Sequence, residues 1–400
     1  MTTLSGPVPP PPAAARTGSA VRVVTMPSGL RAWLVTGYEE ARAALADPRL
    51  AKDAGQLADL MQRQARRGDD ASFSDYLSKH MLNSDPPYHK RLRGLVNKAF
   101  TARRVEHLRP RVQEICDKFV AALAAQREAD LIEGLAIPLP ITVICELLGV
   151  PEPDRDSFRA LSNTLVAALP APVVAEASGA MGGYLRGLVA SKRAEPGDDM
   201  LSALIGAREA ADRLTDDEVI SMAVLLLAAG HETTVNLIGN GMLALVTNPG
   251  QFAALRADRT LLPNAIEEFL RYDGPVSHAT MRFTARAAVI GGKEIPPGEL
   301  VMVSLDAADH DPQRFPDPDR LDLRRPTGGH LAFGHGIHYC LGAPLARLEA
   351  EIAFTGLLDR FSLIELAVPV DQLRWRVSTV MRGLERLPLR LTVNSSGERR

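Results

Sequence analysis

Hydrophobic patterning points to a mainly α protein built as one large fold, and three features carry that reading. From Pro87 to about Ile205 apolar residues recur at helical spacing, broken only near Pro138, Pro151 and Pro170. Thr215-Asp216-Asp217-Glu218 is a capping box with no proline after it until Pro249, room for a helix of about 50 Å. Finally, 400 residues could make two or three domains, yet no internal linker, repeat or composition shift follows residue 20. Residues 1–20, with Pro7 and Pro9-Pro10-Pro11-Pro12, are expected to form a disordered tail, and 21–400 a single catalytic domain.

The elements follow in order. Ala32–Thr36 reads as a strand and Tyr38–Leu45 as a short helix ended by Asp47-Pro48. Residues 55–84 are polar and irregular, which suggests a functional loop or lid. The middle of the long helix, Met222 to Gly230, is apolar all round and should be buried on every side. Another helix covers Asn264 to Tyr272. Arg282–Thr284, Ala288–Ile290 and Leu300–Val303, with a Gly291-Gly292 turn, read as a small antiparallel sheet. Residues 306–335 read as a long loop, and Trp375–Val377 and Leu389–Leu391 as C-terminal strands.

Composition excludes several classes. A net charge of −2 argues against a general nucleic-acid binder. The N-terminus lacks the apolar core of a signal peptide, and the longest apolar run, Met222–Ala229, is too short to span a bilayer. The three cysteines, Cys116, Cys145 and Cys340, lie far apart without metal-type pairing, which fits a reducing cytoplasm. Cys116 and Cys145 sit in apolar helical patterns and read as buried structural thiols.

Cys340 is different. It lies in Phe333-Gly334-His335-Gly336-Ile337-His338-Tyr339-Cys340-Leu341-Gly342, just before a helical pattern, where the helix dipole and free N–H groups favour a thiolate. Gly336 and Gly342 would let a flat ligand approach the backbone. A thiolate under a flat face is what a haem iron needs as its fifth ligand. In the long helix, Ala229-Gly230-His231-Glu232-Thr233-Thr234 places an acid and a hydroxyl inside an apolar segment, which needs a reason. A Thr233 bond back to the Ala229 carbonyl could open a groove there. Glu268 and Arg271 are three apart on one helix face. They suggest a buried pair joined by an arginine of the 306–335 loop, with Arg325 the candidate. His89 and Arg93 share a face that continues as apolar Val96 and Phe100, which suggests a buried anion. With Arg282 and His338 they could meet the two propionates of a haem.

With these four groups in view, the chain resembles the cytochrome P-450 family, the haem-thiolate monooxygenases, and most of all its soluble actinobacterial members that act on secondary metabolites. The resemblance runs from about residue 20 to the end, with the motifs in the family's order. It implies a large helical domain with a small β-rich lobe and haem b as cofactor. Cys340 matches the iron ligand, Phe333 the aromatic residue beside it, and Gly342 a member of the same loop. Glu232 and Thr233 match the acid–alcohol pair for oxygen activation. Glu268, Arg271 and Arg325 match the structural cluster, and His89, Arg93, Arg282 and His338 the propionate binders. Ala308-Asp309-His310-Asp311-Pro312 and Leu321 depart from the family's usual residues in the loop that carries Arg325.

The resemblance implies hydroxylation or epoxidation of a bulky, mostly apolar small molecule, such as a macrolide, polyketide or sterol-like compound. Pocket residues by family position are Leu165, Leu169, Leu226, Ala229, Val276, Ala279, Val380 and Met381, with the 55–84 loop. Electrons should come from NAD(P)H through a ferredoxin reductase and a ferredoxin. Lys90, Arg91, Lys98, Arg103 and Arg104 offer the ferredoxin a basic patch. A cytoplasmic monomer that binds neither membrane nor nucleic acid is expected. Two other classes stay open. One is a haem-thiolate enzyme that inserts no oxygen, such as an aryl-coupling enzyme or a peroxygenase. The other is a non-catalytic haem sensor, which would have no use for Glu232-Thr233.

Overall fold

The computed structural model of the chain describes residues 18–26, 29–64, 80–166, 171–209 and 212–394. Most of the proline-rich tail, residues 65–79 of the expected loop and Leu169 lie outside them, as does the side chain of Leu165.

The helix Asp216–Thr247 runs 32 residues through the core. Thr215 caps it by accepting from Glu218 N–H, while the Glu218 carboxylate accepts from Thr215 N–H, so the box read from the sequence is formed. Around this helix pack Pro138–Leu147, Ala171–Ala194, Leu262–Asp273 and Ala343–Arg360. They share one large apolar cluster that also takes in Arg109–Ala124. Among the described residues this is the one helix long and apolar enough to cross a membrane, and most of it is buried inside the fold. Cys116 and Cys145 are buried in the same core, and burial pushes both thiols up to about 12.

Five strands form the main sheet, in the order Val21–Thr25, Arg31–Val35, Leu300–Val303, Arg282–Thr284, Leu50–Ala51. Arg31–Val35 and Leu300–Val303 run parallel, and the other pairs antiparallel. A smaller sheet joins Phe361–Leu366, Pro388–Val393 and Glu128–Asp130.

Four expectations change. Ala54–Gln64 is a helix, because Leu57, Leu60 and Met61 recur at helical spacing and pack on the cluster of Leu30, Ala32, Phe283 and Leu300. Ala288–Ile290 leaves the main sheet and makes its own hairpin with Lys293–Ile295, turned by Gly291 and Gly292 at φ 53° and 72°. Leu305–Asp309 is a short helix at the start of the expected loop, capped by Ser304, which accepts from Ala307 N–H. Trp375–Val377 is no strand. Trp375 makes one bridge to Leu384, and the chain then leaves the ladder at exposed Val377, Ser378 and Thr379.

Candidate active site

The long helix forms one wall of the site. Within its buried run Ala229 is exposed and Gly230 and Thr233 half-buried, so the helix opens on one side there, against the expectation of burial all round. Thr233 Oγ1 donates to the Ala229 carbonyl at 2.7 Å, and Thr234 Oγ1 to Gly230 at 3.3 Å. The helix continues unbroken through both, so the expected groove is an open face rather than a gap in the ladder. Glu232 is buried, and burial raises its carboxyl above the usual range, opposed by Arg376 at 3.5 Å. Arg376 belongs to no motif, and the sequence reading passed over it. His231 is also buried, which lowers its pKa to about 4.

The cysteine loop is the second part of the site. Cys340 N–H donates to the Phe333 carbonyl at 2.9 Å, and its thiol is exposed three residues before the helix Ala343–Arg360. Protein atoms surround the sulfur on its other sides, and that desolvation raises its pKa. The N–H groups of Gly342 and Ala343 and the charges of Arg93 and Arg347 pull the other way. Of the two glycines expected to leave room for a flat ligand, Gly336 has a different reason. Gly336 has φ 76°, and a Cβ there would meet Leu45 O at 2.9 Å, so it serves the turn and its packing on the helix Tyr38–Ala46. At Gly342 the nearest atom to an added Cβ is Cys340 Sγ, at 3.9 Å, which keeps the surroundings of the thiol open. The Arg347 guanidinium lies 4.5 Å over the Phe333 ring and binds Glu267 through two bonds of 2.6 and 2.8 Å.

Beside the loop, basic side chains from distant segments converge. The rings of His89 and His338 lie 4.4 Å apart. Arg93 Nη2 donates to the Tyr339 carbonyl at 2.9 Å, and Arg282 is buried in its strand. Desolvation, with Lys52, His89, Arg282 and Arg93 all repelling its charge, drives the His338 pKa far down. Two buried residues absent from the sequence reading, Lys52 and His80, belong to this group. His80 Nδ1, His89 Nε2 and Arg282 Nε are buried without a hydrogen-bond partner among the described residues. Orphaned polar atoms in a concentration of positive charge call for an anion. A haem with its propionates here and its iron at Cys340 meets that requirement.

Glu268 and Arg271 are buried and joined at 2.7 and 2.9 Å, and Arg325 Nε reaches Glu268 at 3.2 Å. Arg271 and Arg325 also donate to carbonyls of the loop, Asp309 and Pro318 for the first, Asp317 and Arg320 for the second. This cluster shapes the loop that leads to Cys340.

Of the expected pocket residues, Ala229 is exposed, and Val276, Ala279, Val380 and Met381 are half-buried. Val276 bridges to Met381, and Ser277 N–H donates to the Val380 carbonyl at 2.8 Å, so these segments make one wall. Leu226 is packed into the core instead. The basic patch also changes. Arg91 is bound to Asp212 and Glu218, whereas Lys90, Lys98, Arg103 and Arg104 stay exposed.

A family model described as Cytochrome P450 matches residues 187–383. Cytochrome P450 107B1 of Saccharopolyspora erythraea is 56% identical over 91% of this chain and 90% of its own length. The same organism's 6-deoxyerythronolide B hydroxylase is 45% identical, over 91% of each chain. The tirandamycin C-bound P450 monooxygenase TamI superposes with a TM-score of 0.87 at 51% identity, covering 95% of this chain and 96% of its own. Likeness of this extent, on a fold that sets an exposed thiol near a cluster of basic side chains with orphaned nitrogens, has one reading: the chain belongs to the cytochrome P-450 family and is a haem b monooxygenase.

Proposed function

We propose that this enzyme hydroxylates a bulky, mostly apolar small molecule of the polyketide class, with Cys340 as the iron ligand. The observation that carries the site assignment is the pairing of the exposed Cys340 thiol with the orphaned nitrogens of His89 and Arg282. The substrate class rests on the aliphatic wall of Val276, Ala279, Val380 and Met381, with Ala229 on the open face of the long helix. It rests also on two relatives, one named a 6-deoxyerythronolide B hydroxylase and one bound to tirandamycin C. When bound, haem supplies the activation of O2 and the transfer of one oxygen atom.

The protein's residues do the rest. Cys340 holds the iron as a thiolate, favoured by the Gly342 and Ala343 N–H groups and by Arg93 and Arg347. His89, Arg93, Arg282 and His338 hold the propionates. Thr233, whose proton is committed to Ala229 O, presents oxygen lone pairs on the open face of the helix. Glu232 behind it keeps a raised proton affinity, which suits a group that takes up and returns protons. Glu268, Arg271 and Arg325 fix the loop. The electrons come from a ferredoxin and its NAD(P)H-dependent reductase, with Lys90, Lys98, Arg103 and Arg104 forming the docking face in a cytoplasmic, monomeric enzyme.

The test is turnover with a ferredoxin, its reductase, NADPH and labelled O2 on a panel of polyketides. A product heavier by one labelled oxygen atom is expected. Products lacking that atom would overturn the insertion reading in favour of non-insertion chemistry.

A further inference from the structure

Lys52 lies immediately after the strand Leu50–Ala51, which pairs with Arg282–Thr284 in the register Leu50↔Thr284 and Ala51↔Phe283. Continuing that register by one residue sets Lys52 opposite Arg282 on the same face of the sheet. Like charges placed opposite one another destabilise a sheet unless something compensates them. Both side chains are buried, at 3% and 4% exposure, and neither forms an ion pair among the described residues.

The neighbouring carboxylates are already engaged. Asp85 accepts from the backbone N–H groups of Lys52 and Asp53 at 2.9 Å, and Asp47 is paired with Arg49 at 2.6 Å. The other groups acting on the Lys52–Arg282 pair are His80, His89 and His338, with Arg93 beyond them, all cationic or polar. Asp85 and Asp47 offset only part of this charge and neither pairs with Lys52 or Arg282, while His80, His89 and Arg282 each keep an unpartnered buried nitrogen.

We propose that Lys52 is a further anion-binding residue of the haem cradle, placed with Arg282 to hold a propionate. The idea rests on the haem assignment made above. It carries a consequence for loading. Without the propionates, burial and the repulsion of Arg282 bring the Lys52 ammonium down to about 7, partly opposed by Asp85. A propionate beside it raises that value. Above about pH 7 the haem-bound form therefore holds more protons than the haem-free form, and haem affinity falls as pH rises toward the raised value. Below about pH 7 the ammonium is charged in both forms, and this contribution is flat.

The test uses the ferric holoenzyme, equilibrated with a haem-scavenging apoprotein between pH 6.5 and 9, for the wild type, Lys52→Met and Lys52→Arg. Resonance Raman of the propionate-bending mode gives a second readout independent of turnover. At pH 7, Lys52→Met should retain haem about tenfold less well, with the bending mode shifted, and Lys52→Arg should stay within about threefold of the wild type. The ratio of wild-type to Lys52→Arg affinity, which cancels the scavenger's own pH dependence, should fall about tenfold from pH 7 to 9, because arginine stays charged. Wild-type retention and an unmoved bending mode in Lys52→Met would overturn the proposal. So would parallel profiles of wild type and Lys52→Arg, a comparison that still decides if Lys52→Met does not assemble. Wild-type protein purified without haem would instead sink the haem assignment itself.

Discussion

Glu349 sits on the helix after Cys340, fully buried, with one carboxylate oxygen unpartnered and the Thr234 hydroxyl of the long helix beside it. Burial raises its pKa to about 8, only partly countered by Thr234. A raised carboxyl means that the native state holds a proton the unfolded chain has lost, so stability falls as pH climbs from the ordinary carboxylate range to about 8. Glu349→Gln should therefore melt with the wild type at pH 4.5 but be more stable by about 1–3 kcal/mol at pH 8, in paired thermal melts. A second prediction concerns Glu232. Removing Arg376 takes away the cation that lowers the Glu232 pKa, so in Arg376→Met the pH–rate limb belonging to this carboxyl should move upward. An unmoved limb would show that Arg376 does not act on it. Cys340, Glu232 and the pair His89 and Arg93 stood out as candidates because each sits in a spaced pattern, whereas Arg282 and His338 gained meaning only beside that pair. Lys52, Arg376 and Glu349 did not stand out, because each is a lone polar residue whose meaning comes from what the fold sets against it.

Among the elements, the long helix was read well from its cap, its apolar run and the missing proline, because those are local signals. Its packing was not. Gly241 lies where a Cβ would come within 2.8 Å of the Phe354 ring and 2.9 Å of the Phe269 ring, so the glycine lets three helices approach closely. Gly241→Ala should gain up to about 1 kcal/mol of helix propensity and still lose about 1–3 kcal/mol overall, measurable in denaturant melts. The Glu268 cluster behaves differently, since removing the carboxylate strands two buried guanidinium groups. Glu268→Ala should cost about 3–5 kcal/mol and show as loss of soluble holoenzyme, whereas the exposed i,i+3 pair Arg111–Glu114 should tolerate Glu114→Ala within about 0.5 kcal/mol. The helix Ala54–Gln64 was missed because its apolar stripe is short and its partners, Phe283 and Leu300, lie far along the chain.

Across the whole molecule, one buried helix joins the helical body while the sheet brings Leu50–Ala51 and Arg282–Thr284 together across more than half the chain. The site exists only where these parts meet, which is why its basic side chains come from segments around Lys52, His89, Arg282 and His338. Reversing the charges of Lys90, Lys98, Arg103 and Arg104 together should slow electron delivery from an acidic ferredoxin at least tenfold at low salt and leave substrate binding unchanged, by stopped-flow reduction. All of this depends on sulfur from position 340 binding a porphyrin iron. The carbon-monoxide difference spectrum of the reduced protein reports that bond: the wild type should give the red-shifted band of a thiolate-ligated haem, and Cys340→Ser should lose it. A wild type without that band, or a serine variant that keeps it, would contradict the assignment.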